Sequence, residues 1–266
     1  MALPDPSPQI TALVTGASSG IGVELARDLA RRGYGVTLVA RRADRLERLA
    51  AELSDEFGVR ADALACDLID PEQRDALPGR IDDLGLEVGI LVNNAGYGSG
   101  GWFVSLDPRS EAEMVRLNCE AVVALTGAYA RRMADKGEGG ILVVASSAGN
   151  QPLPRQATYA ATKAFALHFA EALHAELKPR GVHVTALCPG PVDTEFAARA
   201  GLEEAFSRLP GAAKVPAHEV ARQAVDGLVR NRRTVVPGLP MKVGAVAGRH
   251  TPRAVLLPVM RRFYRF

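Results

Sequence analysis

Seven short runs rich in β-branched and apolar residues punctuate this chain: Ile10 to Val14, Gly35 to Ala40, Ala61 to Cys66, Ile90 to Asn93, Ile141 to Ala145, His183 to Cys188 and Thr234 to Val236. Their apolarity is nearly continuous rather than alternating, which requires cover on both faces of each strand. Amphipathic stretches separate them, clearest at Gly20 to Arg32, Asp44 to Phe57, Ser110 to Lys136 and Ala157 to Lys178. Strands alternating with helices make right-handed crossovers. The pattern predicts an α/β chain built on a doubly wound, parallel, seven-stranded sheet with helices on both faces. With 266 residues, 47% of them hydrophobic, one core suffices, and a single domain is expected over residues 10–240. Pro78-Gly79 is expected to shorten or break the helix before the fourth strand.

The ends of the chain differ from its body. Met1 to Pro8 is proline-rich and lacks the basic and apolar regions of a secretory signal, so residues 1–9 are read as a flexible tail. Cys66, Cys119 and Cys188 form no CxxC pair and fit a reducing compartment, with the cytoplasm as the expected location. The net charge of +2 conceals an asymmetry, because Asp226 is the last acid and residues 227–266 hold nine Arg or Lys. Residues 241–266 form a basic, apolar extension, expected to pack on the body or on a partner subunit. Pro252 and Pro258 limit a helix through Leu256, Leu257, Met260 and Phe263, which favours a solvated rim over membrane contact. His168, His174, His183, His218 and His250 show no metal-ligand grouping, so no metal is assigned. No interleaving of aromatic and basic residues signals nucleic acid.

Two segments carry chemistry. Thr15-Gly16-Ala17-Ser18-Ser19-Gly20-Ile21-Gly22 follows the first strand and opens a helix, where glycines let the backbone approach a pyrophosphate and the helix start offers unpaired N–H groups. At the end of the second strand, where a site for NAD places an acid, stand Ala40-Arg41-Arg42. Guanidinium groups there suit a 2′-phosphate, so NADP is favoured over NAD. Tyr159 and Lys163 share one helix face, with Ser146 upstream. Acid–base work near neutral pH asks the phenol pKa to fall from about 10 toward 7, roughly 4 kcal/mol, and the neighbouring ammonium is expected to supply part of that. Two long connections, Tyr97 to Asp107 and Pro191 to Val215, are candidate substrate walls. They and their neighbours supply Tyr97, Trp102, Phe103, Leu153, Phe196, Leu202, Phe206 and Leu209, with Arg155 and Arg199 as charges.

With Cys66-Asp67-Leu68, Asn93-Asn94-Ala95-Gly96, Asn118, Ser146 three before Gly149, and Pro189-Gly190-Pro191-Val192-Asp193-Thr194 added, the sequence resembles the classical short-chain dehydrogenase/reductases over roughly residues 10–240. The resemblance implies a Rossmann fold and hydride transfer between the nicotinamide and a carbonyl or hydroxyl carbon, and the apolar walls suit a small, lipophilic substrate. It implies that Ser146 orients the substrate oxygen, Tyr159 exchanges its proton, Lys163 bonds the ribose and Asn118 holds a water leading to the lysine. Cofactor contacts are implied for Gly16, Ser18, Ser19, Gly20, Ile21, Gly22, Arg41, Arg42, Asp67, Leu68, Asn94, Ala95, Gly96, Tyr159, Lys163, Pro189, Gly190, Val192 and Thr194, with Asn93 supporting the central strand. A homodimer or homotetramer through the helices at 110–136 and 157–178 is also implied. The sequence departs from the family at Val88-Gly89-Ile90, where many relatives carry an acid, and Ser147 competes with Ser146 on position alone. The rival reading is a catalytically silent NADP-binding regulator or scaffold, peripheral to a membrane through its basic tail.

Overall fold

Cover on both faces of the strand runs is met by a single seven-stranded sheet in which every pairing is parallel. The computed structural model describes residues 3–203 and 214–263. Its strands are β1 (Ile10–Thr15), β2 (Gly35–Ala40), β3 (Ala61–Ala65), β4 (Glu87–Asn93), β5 (Gly139–Val144), β6 (Val182–Leu187) and β7 (Thr234–Val235), in the order β3-β2-β1-β4-β5-β6-β7. The chain winds outward from β1 to β3, then crosses back to lay β4 on the other side of β1. Strand order reverses there, and the loops after β1 and β4 part to leave a crevice.

Helices α1 (Ile21–Arg31), α2 (Ala43–Phe57) and α8 (Ala217–Val229) cover one face, and α3 (Pro71–Asp82), α5 (Ala121–Lys136) and α6 (Ala157–Leu177) the other. Consecutive strand residues enter opposite cores: Val14 meets Leu25 and Leu29 of α1, while Leu13 joins Leu77 of α3 and Leu125 of α5. This is why the strands read as unbroken apolar runs. Each such side chain, removed fully from water, contributes about 1.5–3 kcal/mol of transfer free energy.

Three local expectations need correction. Helix α3 continues through Pro78. Asp70 caps it by accepting from the N–H groups of Glu72 and Gln73, Pro71 fits the first turn, and Leu77 and Ile81 are buried, which together outweigh one lost backbone bond. The single helix expected over 110–136 is instead α4 (Pro108–Val115), a π turn at Arg116–Glu120, and α5. Residues 3–9 are not loose. Leu3 and Pro4 are buried, Tyr34 donates its hydroxyl proton to the Pro4 carbonyl at 2.9 Å, and the Glu87 N–H bonds the Gln9 carbonyl at 2.7 Å.

That packing explains the departure at Gly89. A Cβ on Gly89 would stand 2.7 Å from both Pro4 Cγ and Ile10 Cγ2, so the absent side chain is the seat of the N-terminal segment. At the far end, α7 (Glu195–Arg199), α9 (Leu239–His250) and α10 (Arg253–Phe263) lie beside the crevice, and α10 runs through Pro258. The bond forgone is to the carbonyl of Ala254, an exposed residue that water can serve. Phe206 and Leu209 lie outside the described residues.

Replacing Gly89 with Asp is expected to lower the unfolding free energy by about 1–3 kcal/mol through overpacking against Pro4 and Ile10, measured by urea denaturation. A change under about 0.5 kcal/mol would mean that the N-terminal segment is not held as described.

Candidate active site

The glycine turn is fastened to the end of β4 by one hydroxyl. Thr15 Oγ1 donates to the Val92 carbonyl at 3.1 Å and accepts from the N–H groups of Asn94 at 2.9 Å and Ala95 at 3.0 Å. Asn94 returns the contact, its amide donating to the Thr15 carbonyl at 2.8 Å and the Gly16 carbonyl at 3.3 Å. Gly16 adopts φ +66°, and a Cβ there would meet Ala95 Cα at 2.8 Å, so both conformation and space demand glycine. Gly22 packs against the Gly16 carbonyl, beneath the turn rather than in the crevice. No side chain caps the start of α1, which leaves its first N–H groups for an anion.

Beyond the turn lies a cluster of cations. Arg42 donates to Ser18 Oγ through Nε at 3.1 Å and Nη2 at 2.9 Å, and its Nη1 pairs with Glu195 at 3.0 Å. Arg45 reaches the other Glu195 oxygen at 2.6 Å, and Arg199 follows at 3.2 Å. Hydrogen bonds from Arg45 and then Arg42 hold the Glu195 carboxyl down to about 2. Arg41 is exposed and stands 3.9 Å from Asp67, whose Oδ1 accepts from the Ile69 N–H at 3.0 Å. Arg45 and Glu195 were missed from sequence. Their signal is position alone: Arg45 lies in the first turn of α2, three residues after Arg42, and Glu195 follows Thr194.

Ser146, Tyr159 and Lys163 come together at the foot of the crevice, each buried to 8% exposure or less. Ser146 lies just past β5 and accepts from the Ala148 N–H at 3.1 Å, with its hydroxyl on the side of the Tyr159 phenol. Ser147 instead offers its N–H to the Pro189 carbonyl at 2.9 Å. Gly149 allows this turn to rest on α6, since a Cβ there would lie 2.6 Å from the Lys163 carbonyl. Lys163 Nζ donates to the Val144 carbonyl at 2.8 Å and sits 6.0 Å from the centre of the Tyr159 ring.

Burial governs both titrations. It pushes Tyr159 up to about 12, against the opposing hydrogen bond from Ser146, and draws Lys163 down to about 8. In this geometry the Lys163 amine donates to a backbone carbonyl, and burial is the largest influence on both groups.

Asn118 falls inside the π turn, a geometry that recurs at functional sites because it re-aims one side chain. Its amide donates to the Tyr97 carbonyl and to Thr162 Oγ1, both at 3.0 Å, and accepts from the Tyr97 N–H at 3.3 Å. It thus lies behind the Gly96-Tyr97 backbone rather than in the crevice. Asn93 is also set back, donating to Thr126 Oγ1 at 3.0 Å.

One cleft of about 1100 Å³ connects these parts. It runs from Arg41, Arg42, Asp67 and Leu68 over Ser18, Ser19, Gly20 and Ile21, past Asn94, Ala95 and Gly96, to Ser146, Tyr159 and Lys163, with Pro189, Gly190, Val192 and Thr194 along the other side. Its far end is apolar: Leu153, Leu202, Met241, Met260 and Phe196, whose ring stands 5.3 Å from that of Tyr159. Met241 and Met260 were not anticipated as walls. Trp102 and Phe103 were, and are excluded: they are 56% and 62% exposed, and the Arg155 guanidinium stacks on Trp102 at 4.5 Å outside the cleft. Among the described residues no group of His, Cys, Asp and Glu is arranged to hold a metal ion.

Residues 10–205 match the family described as short chain dehydrogenase. The chain is 34% identical over 190 residues to the very-long-chain 3-oxoacyl-CoA reductase of Anas platyrhynchos, an alignment covering 70% of this chain and 60% of that enzyme. The chain therefore spans about 60% of the length of that relative. Among solved structures, it is similar to a short-chain dehydrogenase from Sphingobium yanoikuyae in complex with NADPH, with 37% identity, a TM-score of 0.80, and coverage of 93% of this chain and 94% of the other. It is also similar to the bulky-bulky ketone specific alcohol dehydrogenase from Comamonas testosteroni, with 32% identity, a TM-score of 0.76, and coverage of 96% and 93%.

A pH experiment tests the buried lysine. Because its pKa falls from 10.5 to about 8 on folding, the unfolded chain binds the extra proton between those values, so this group makes stability rise with pH across that window. Tyr159, raised from 10.0 to about 12, makes stability fall above about pH 10. Urea unfolding near pH 7 and near pH 10 should show wild type gaining on a Lys163→Met variant by roughly 2 kcal/mol between the two. A pH-independent difference would refute the depressed pKa.

Proposed function

The chain belongs to the short chain dehydrogenase family, and from that premise we propose that it is an NADP-dependent oxidoreductase acting on the carbonyl or hydroxyl carbon of a lipophilic substrate. The observation that carries this reading is the continuity of one cleft from a cationic end, across an uncapped helix start, to a buried serine, tyrosine and lysine. A dinucleotide fits those features in that order. The glycine turn would cradle the pyrophosphate, Arg42 with Ser18 would receive the 2′-phosphate, and Thr194, which stands against Gly20, would border the nicotinamide end.

Bound there, the cofactor supplies the hydride. The protein's part is position and proton. Ser146, held by the Ala148 N–H, would direct its hydroxyl to the substrate oxygen beside Tyr159. A phenol raised to about 12 stays protonated throughout the neutral range, which suits it to give its proton to the alkoxide formed when a carbonyl is reduced. Lys163, charged below about pH 8, would stabilise the phenolate left behind. The positioning role of Asn118 would be to fix Gly96 and Tyr97, since a Cβ on Gly96 would lie 3.4 Å from Lys163 Nζ.

The apolar end formed by Phe196, Leu202, Met241 and Met260 supports a ketone with a long or bulky apolar arm. The names of the duck reductase and the Comamonas dehydrogenase agree with that class. Val123 on α5 and Phe165 on α6 are 43% and 38% exposed, which supports assembly across these helices. The free state of Cys66, Cys119 and Cys188 supports a cytoplasmic location.

Tyr159→Phe should lower kcat for ketone reduction by at least about a hundredfold while the Kd for NADPH, read by fluorescence, moves less than about twofold. Arg42→Ala should weaken NADPH binding by about tenfold or more and leave NADH nearly unchanged. Wild-type protein that bound NADH as tightly as NADPH would overturn the cofactor assignment, and a fully active Tyr159→Phe variant would overturn the mechanism.

A further inference from the structure

The two C-terminal helices have different chemistry on their two sides. Inward, Met241 and Ala245 of α9 and Met260 of α10 line the cleft. Outward, α9 presents Leu239 and Val243 at 73% and 64% exposure, and α10 presents Val255 at 57%, with Val259 one turn later. Lys242, Arg261 and Arg262 stand exposed among them, and none of the three forms an ion pair with another described residue. The sequence around them holds nine cations and, after Asp226, no acid.

We propose that this outer face docks on an anionic lipid surface, with α9 and α10 lying in its plane and the apolar end of the cleft held against the membrane. Apolar side chains flanked by lysine and arginine match the boundary between acyl chains and negative headgroups. Aqueous solvent alone gives no reason for so many exposed aliphatic groups on two adjacent helices. A second copy of the chain is a poorer occupant, because a two-fold contact would set one acid-free cationic face against another. Among the described residues no helix is long and apolar enough to cross a membrane, so the contact is interfacial. A lipophilic substrate dissolved in the bilayer could then enter beside Met241 and Met260 without crossing water. That last consequence rests on the oxidoreductase reading; the docking does not.

The test is flotation of the full-length protein with vesicles of phosphatidylcholine alone or phosphatidylcholine with phosphatidylglycerol. Binding is expected to the anionic vesicles only, and to fall as sodium chloride is raised to about 0.5 M. A Val243→Asp, Val255→Asp double variant and a Lys242→Glu, Arg261→Glu, Arg262→Glu triple variant should each reduce apparent affinity by about tenfold or more. Circular dichroism melts matching wild type would show that the fold is kept. Absent flotation, or equal flotation with neutral vesicles, would overturn the proposal. So would a dimer, seen by sedimentation, that the aspartate variant dissociates while vesicles remain unbound, which would make the face a contact between copies. Failure of ketone reduction would bear only on the oxidoreductase reading.

Discussion

The hydroxyl of Thr15 holds together two strand ends that the topology would otherwise let diverge. β1 and β4 are neighbours in the sheet, but their following loops leave in opposite directions, and a crevice opens between them at the sheet edge. Thr15, bonded to Val92, Asn94 and Ala95, fixes the glycine turn on one side and the Gly96-Tyr97 backbone on the other. From that second side the order passes to Asn118, then through Thr162 to α6, which carries Tyr159 and Lys163. A buried three-way hydroxyl of this kind ties the anion-binding half of the cleft to its proton-handling half.

Much of this was legible in the residues. Nearly continuous apolar runs identified each described strand, although β4 starts at Glu87, earlier than its β-branched stretch suggests, where the Glu87 N–H pairs with the Gln9 carbonyl. The glycine turn, Ser146, Tyr159 and Lys163 could be located because spacing along one strand, turn or helix fixes their separation. Relations between distant segments could not be located in that way. Nothing near Pro4 indicates that it will occupy the place of a side chain at position 89, and nothing near Trp102 shows that its ring will stack with Arg155. Glu195 gathers three arginines only once the loop after β6 folds over α2.

The electrostatics of the foot of the cleft follow from exclusion of water more than from pairing. Both the phenol and the amine are pushed toward their neutral forms, the first upward and the second downward. A neutral acid beside a readily charged base is a consistent arrangement, since the transfer of one proton out of Tyr159 creates the negative charge that favours protonated Lys163. The glutamate at the other end shows the reverse regime: exposed, it is governed by its arginine partners.

The π turn at Arg116–Glu120 adds one residue to what would otherwise be a continuous helix from Pro108 to Lys136. Each residue turns a helix by about 100°, so no single wheel describes the faces before and after it. Deleting one residue here would give a more regular helix while swinging Asn118 or the whole of α5 out of register with the sheet. Local irregularity in this segment is thus the condition for global fit, and a chain improved for helical regularity alone would lose the alignment that seats Tyr97.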